Sequence, residues 1–264
     1  MPQDKPVEKR GYSVLRVEIE GTIAILTMNR PDKRNAMCDA LLEAIDAFFA
    51  HPPEGVRAVV LTGTAGHFCS GLDLSEHVAR DAEGTMRHSR NWHRVMDAVQ
   101  FSGLPVVSAM FGAVIGGGLE LAAATHVRIA EPSTIFQLPE GRRGIYVGGG
   151  ASVRVGRILG ADRMCEMMLT GRKYGAEDGV ALGLAHYAVA EGEAMTLARE
   201  LATRIARNAQ LSNYMMIQAI ARISDMPRGE GLFTESLAAA VSQTSADAEE
   251  GLKAFLEKRP PTFR

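Results

Sequence analysis

From about Glu193 onward the chain holds no strand-like run. Residues 195–206, 212–223 and 245–255 all carry helix-like patterns, and helices with so little core of their own must cap another body or join subunits. Everything before that point reads differently, so a fold for this chain has to combine a strand-bearing body with a helical tail. Two β-rich runs, 13–19 and 22–28, flank Glu20-Gly21 and predict a hairpin that ends before Pro31. Met37, Leu41, Leu42, Ile45, Phe48 and Phe49 recur at helical spacing, and 56–62 follows as a buried strand. The order then repeats. A long helix carries Trp92, Val95, Met96 and Val99, a strand spans 105–110, and a glycine-rich turn leads into a helix from about Gly117. Strand-like pieces at 126–130 and 134–137 come next, so the part before the tail reads as repeated β and α units.

The chain's 264 residues, 46% hydrophobic and 23% charged, suffice to bury a substantial core. With 29 basic against 31 acidic residues the formal charge is -2, which gives no electrostatic reason to expect nucleic acid or a membrane surface as partner. An anionic ligand has to be met by a local patch. Cys38, Cys69 and Cys165 are odd in number and far apart, so neither a disulfide framework nor a zinc site is indicated, and a reduced, cytoplasmic setting fits. Residues 1–10 are polar without a signal core, and no charge-free apolar run is long enough to span a bilayer. The histidines, His67, His88 and His93 among them, show no metal-ligand spacing, and His88 and His93 are expected on a partly exposed helix face. Met164, Met167, Met168, Met215 and Met216 read as core or interface packing.

Three segments carry chemistry. His67-Phe68-Cys69-Ser70-Gly71-Leu72-Asp73-Leu74 follows a strand, and its small residues allow a sharp turn with unpaired amide N–H groups; taken alone it reads first as a surface turn into a helix. Gly112-Ala113-Val114-Ile115-Gly116-Gly117-Gly118-Leu119-Glu120-Leu121 runs from a strand into a helix whose free N–H groups and dipole face a ligand. It is no phosphate loop, because no Lys-Ser or Lys-Thr follows the glycines, and it lacks the third Gly of a dinucleotide fingerprint. Phe136-Gln137-Leu138-Pro139-Glu140, with Gly144 and Gly148-Gly149-Gly150 beyond it, places a carboxylate on a loop where it can serve as acid or base, or simply cap a helix.

In this order the segments resemble the enoyl-CoA hydratase (crotonase) family over nearly the whole chain. The matching stretches are Met28-Asn29-Arg30-Pro31 with Asn35-Ala36, Phe68-Cys69-Ser70-Gly71-Leu72-Asp73-Leu74, and Gly116-Gly117-Gly118-Leu119-Glu120-Leu121. Pro139-Glu140, Leu169-Thr170-Gly171 and the terminal Glu250-Gly251-Leu252-Lys253-Ala254-Phe255-Leu256-Glu257-Lys258-Arg259 complete the set.

The resemblance implies an α/β fold, the crotonase (ClpP-like) spiral of ββα units over 1–195, with a helical trimerisation region over 196–264. It implies a homotrimer, or a homohexamer built as a dimer of trimers. By the family's motif the backbone N–H groups of Leu72 and Gly117 bind the thioester oxygen, and Glu120 and Glu140 flank the substrate double bond. Gly148 corresponds to the amide that positions the catalytic water. Coenzyme A would run along Lys33, Arg34, Ser70, Asp73 and Leu74, with Phe255 and Lys258 reaching the coenzyme of a neighbouring subunit. The implied reaction is syn addition of water to a 2-trans-enoyl-CoA, in fatty acid metabolism, with no cofactor or metal beyond the acyl-CoA thioester itself. A Δ3,Δ2-enoyl-CoA isomerase, a hydratase-lyase, a thioester hydrolase and a non-catalytic acyl-CoA binder are the alternatives; the pair of glutamates favours the hydratase. Two departures stand out. Ser75 occupies a place where the family often has Lys, and Gly141-Arg142-Arg143 stands where short-chain hydratases carry apolar residues. The arginines either face solvent or a subunit contact, the preferred reading, or tune the acyl pocket for a polar tail.

Overall fold

The computed structural model describes residues 9–76 and 79–263, so residues 1–8 of the polar N-terminal stretch, and Arg264, lie outside it. β1 (Lys9–Tyr12), β2 (Leu15–Glu20) and β3 (Ile23–Met28) form an antiparallel meander in which Glu20 pairs with Ile23 at the predicted hairpin. α1 (Asp39–Ala50) then leads to β4 (Ala58–Gly63), and α2 (Ala82–Phe101) to β5 (Val106–Met110). The short β6 (Ala113–Ile115) runs into α3 (Gly117–Ala123), followed by β7 (Val127–Ala130) and β8 (Ile135–Gln137). Beyond a 3-10 turn at Glu140–Arg143 come α4 (Ala151–Leu159), α5 (Ala161–Thr170), α6 (Ala176–Ala181) and β9 (Tyr187–Ala188).

These strands form a seven-stranded sheet in the order β1-β2-β3-β4-β5-β7-β9, parallel from β3 onward, beside a small parallel pair β6-β8. Both faces of the sheet are covered. Leu26, Leu61 and Met110 point into a core shared with Leu41, Ile45, Val95 and Met96 of α1 and α2. Their strand neighbours Ile25, Val60 and Ala109 point to the other face. Burial on both sides is why these strands read as continuous apolar runs rather than alternating ones.

The tail begins with α7 (Ala194–Ala206), which lays Ala194, Ala198, Leu201, Ala202 and Ala206 against that second face. Its alanines let helix and sheet approach closely, so by packing this helix closes the core of the body. α8 (Gln210–Ile223), α9 (Arg228–Gln243) and α10 (Ala246–Leu256) are different: Asn213, Ile217, Gly231 and Ala254 are their only buried residues. The sequence pattern gave no helix over 228–243. α9 opens on Arg228-Gly229-Glu230-Gly231 and leaves Leu232, Phe233, Leu237 and Val241 exposed, so the helix-favouring signal of a one-sided buried stripe is weak there. Among the described residues no helix is long and apolar enough to cross a membrane.

Candidate active site

A cavity of about 190 Å³ lies between the 70–74 loop, α2, the start of α3 and the segment 140–149. Each wall has a local cause. Met37 N–H donates to Gly71 O (2.7 Å) and Asp73 N–H to Met37 O (2.9 Å), a parallel bridge that stretches the 71–73 backbone across the mouth of α3. In that pattern the intervening Leu72 N–H faces away from Met37, and it has no acceptor among the described residues. Gly117 opens α3, where an N–H has no intrahelical partner, and it too is unpaired. Gly71 brings the two together. Its φ of +95° and the 2.7 Å that would separate a Cβ from Ile115 O exclude any side chain, and the same Cβ would lie 3.3 Å from Gly117 N.

Glu120, in the first turn of α3, is buried and crosses to the start of α4. Its Oε1 accepts from Gly149 N–H (2.8 Å) and Ala151 N–H (3.0 Å). Burial raises its pKa, while those N–H donors and the Arg154 guanidinium act in the opposite direction by favouring the carboxylate. The peptide that supplies the Gly149 donor is itself held, because Ser89 Oγ donates to Gly148 O at 2.6 Å. Trp92 packs behind both elements: a Cβ on Gly117 would meet Trp92 Cζ3 at 2.6 Å, and one on Gly149 would meet Trp92 Cε3 at 2.9 Å. Two glycines thus admit one indole between the start of α3 and the start of α4.

Glu140 enters from the opposite side, at the head of the 3-10 turn after Pro139. Its Oε1 lies 2.9 Å from where a Cβ on Gly116 would stand, and its buried Oε2 has no hydrogen-bond partner among the described residues. Burial, reinforced by the charge of Glu120 and opposed by Arg143, pushes its carboxyl up to about 7. The two carboxylates therefore share a cavity in unlike surroundings.

The remaining sequence-predicted residues divide. Ser70, Leu72, Leu74, Gly117 and Gly148 all line the cavity. Lys33 and Arg34 sit outside it on an exposed turn, where Lys33 Nζ donates to Ser75 Oγ (3.0 Å) and Arg34 adopts a left-handed φ of 49°. Asp73 is not among the residues that line the cavity. Its buried carboxylate accepts from Ser75 Oγ (2.6 Å) and pairs with Arg30 (2.7 Å), and its pKa falls to about 2, led by the Ser75 hydrogen bond. It shapes the loop rather than facing outward. Phe255 and Lys258 at the end of α10 are exposed and do not line the cavity of their own chain.

Arg142 and Arg143 part company. Arg142 donates to Thr170 O at 3.0 Å, away from the cavity, whereas Arg143 lines it with Ile145 and Tyr146. Sequence reasoning missed the whole α2 wall. Thr85, His88, Ser89 and Trp92 fall at helical spacing on one face, and that stripe, polar at one end and apolar at the other, was the available signal. Among the described residues no group of three or more His, Cys, Asp or Glu is placed to hold a metal ion.

Comparison with known proteins gives a consistent result. A family model described as enoyl-CoA hydratase/isomerase matches residues 18–264. The chain is 32% identical to enoyl-CoA hydratase EchA19 of Mycobacterium tuberculosis, over 99% of this chain and 96% of that protein. Among solved structures, a Rhodopseudomonas palustris protein provisionally named an enoyl-CoA hydratase superposes with a TM-score of 0.91 at 47% identity, covering 93% of this chain and 95% of the other. An enoyl-CoA hydratase from Bacillus anthracis gives a TM-score of 0.89 at 30% identity, covering 95% and 98% respectively.

Proposed function

Because the chain belongs to the enoyl-CoA hydratase/isomerase family, we propose that it adds water across the double bond of a 2-trans-enoyl-CoA to give a 3-hydroxyacyl-CoA. The observation that carries this reading is the placement of Glu120 and Glu140 in one cavity with the unpaired N–H groups of Leu72 and Gly117. The thioester oxygen accepts from those two N–H groups, an oxyanion hole, which draws charge from the conjugated double bond and makes the β-carbon electrophilic. One such donor is worth about 2.7–4 kcal/mol of transition-state stabilisation. Glu120, fixed through Oε1 by Gly149 and Ala151, takes a proton from water as its oxygen bonds to the β-carbon. The Gly148 amide orients that water. Glu140, in its protonated form, delivers a proton to the α-carbon as the enolate collapses. At the end Glu120 carries a proton and Glu140 is ionised, and exchange with solvent resets both. General acid–base assistance of this kind contributes roughly 10²–10⁴-fold.

Lys33 and Arg34 supply charge for the coenzyme phosphates, and Ser70 and Leu74 line its approach. α8, α9 and α10 carry exposed large apolar side chains, including Ile220, Phe233, Phe255 at 80% exposure and Leu256 at 79%, the kind of surface that marks an interaction site when it is contiguous. In our reading it meets further copies of this chain in a trimer or hexamer, and Phe255 and Lys258 reach a neighbour's coenzyme. Adding the protein to a panel of 2-trans-enoyl-CoAs should lower the absorbance of the conjugated thioester, with a mass gain of one water. A panel of short, branched and aromatic acyl groups that yields isomerised or hydrolysed product, or none, rejects hydration.

A further inference from the structure

The cavity is unequally charged along its length. Its carboxylates, Glu120 and Glu140, are both at the reacting end beside the start of α3. From Trp92, which is 4% exposed, the α2 wall climbs through His88 to Thr85 at the surface, about 10 Å of helix, and becomes polar as it goes. Facing that wall, Arg143 stands at the rim beside Ile145 and Tyr146. Its neighbour Arg142 is tied to Thr170 O and packed on Gly171, but the Arg143 guanidinium makes no hydrogen bond or ion pair with a described residue. It is near enough to Glu140 to lower that carboxyl's pKa against the effect of burial. Glu120 is already engaged by two backbone donors, so the cavity offers Arg143 no carboxylate of its own at the rim. Arg143 and Arg80 both line the cavity, so a plain alkyl chain lying in it would meet guanidinium charge, a poor match for a hydrocarbon terminus.

Resting on the hydratase reading of the same cavity, we infer that the acyl group ends in an oxygen acceptor bound by Arg143, with a terminal carboxylate the best fit to its planar fork of donors. A ring hydroxyl at the same distance would present the same chemistry from a second source. Turnover is to be compared for three enoyl-CoAs of matched reach: methyl-ended, ω-carboxylated and para-hydroxycinnamoyl. The expected result is a kcat/KM for an oxygen-ended substrate roughly tenfold to a hundredfold above the methyl-ended one, the range of a charge-assisted contact. Arg143→Leu should abolish that preference, bringing the ratio of oxygen-ended to methyl-ended kcat/KM close to one whatever happens to the absolute rates, and Arg143→Lys should restore part of the ratio. Calorimetric binding of adipyl-CoA against hexanoyl-CoA reads the same preference without turnover. A protein that prefers adipyl-CoA but hydrates nothing keeps this inference and fails the hydratase reading. Equal or better handling of the methyl-ended compounds by the unaltered protein, or equal loss on all substrates in Arg143→Leu, overturns it.

Discussion

The two walls that present the glutamates solve opposite problems. On the α3–α4 wall, Glu120 reaches a helix start whose N–H groups need an acceptor, and the carboxylate and the helix satisfy each other at 2.8 and 3.0 Å. On the facing wall, Glu140 hangs from a 3-10 turn with one buried oxygen that no described residue satisfies. A buried polar atom without a partner costs stability, and such an atom in a cleft is a signature of chemistry rather than of packing. The contrast teaches that two buried glutamates of one cavity can be held differently: burial raises the pKa of both, and backbone N–H donors oppose that rise at Glu120 more than at Glu140.

Removing either carboxyl should break the contrast with the largest effect. Glu120→Gln and Glu140→Gln should each lower kcat by roughly 10²–10⁴-fold, with coenzyme A affinity nearly unchanged in calorimetry. Next comes the support of the Glu120 wall. Ser89→Ala frees the Gly148–Gly149 peptide and should lower kcat by about tenfold, the loss of one hydrogen bond of ordinary strength, with little change in KM; Ser89→Thr should recover most of it. Loss confined to KM would instead make Ser89 a substrate contact. The Glu140 wall is sharpened by pH. Because its proton is needed and its pKa is raised to about 7, kcat/KM for hydration should fall as pH rises above about 7, and the fall tracks the pair of carboxyls rather than one alone.

A smaller effect concerns stability. A carboxyl whose folded pKa lies above its unfolded value leaves stability intact below the unfolded pKa and removes it as pH rises through the folded one. Glu140 moves from 4.5 to about 7, so ionisation costs at most ~3 kcal/mol, less whatever solvent screening removes. Glu140→Gln should therefore raise the melting temperature above about pH 7 and leave it unchanged below about pH 4.5. A variant with the same melting temperature at both extremes would mean that Glu140 is not strained by burial.

Much of this was legible before any coordinates. The hairpin, the buried strands and α1 follow from local periodicity, and the donor loop, the glycine-rich helix start and both glutamates lie in short contiguous segments. The rest depends on contacts between distant residues. Ser89 and Gly148 are 59 positions apart, and nothing near Ser89 in sequence marks it as the clamp on a peptide that holds Glu120. Arg142 and Arg143 are adjacent, yet only the backbone of the 3-10 turn decides which one meets the cavity. The ion pair of Asp73 with Arg30 spans 43 positions, so the loop motif alone did not reveal it. In α9 the pattern failed for another reason: its apolar side chains are exposed in the single chain, so no buried stripe of its own announces it.

The division of labour between the walls is tested most directly by exchange of the α-protons of a saturated acyl-CoA in deuterated water, followed by mass spectrometry. That exchange needs the thioester oxygen bound and a group at the α-carbon, but no attacking water. The account predicts that Glu120→Gln exchanges at a rate close to that of the unaltered protein although it hydrates poorly, while Glu140→Gln exchanges at the uncatalysed rate. Exchange retained in Glu140→Gln, or lost equally in both variants, would contradict it.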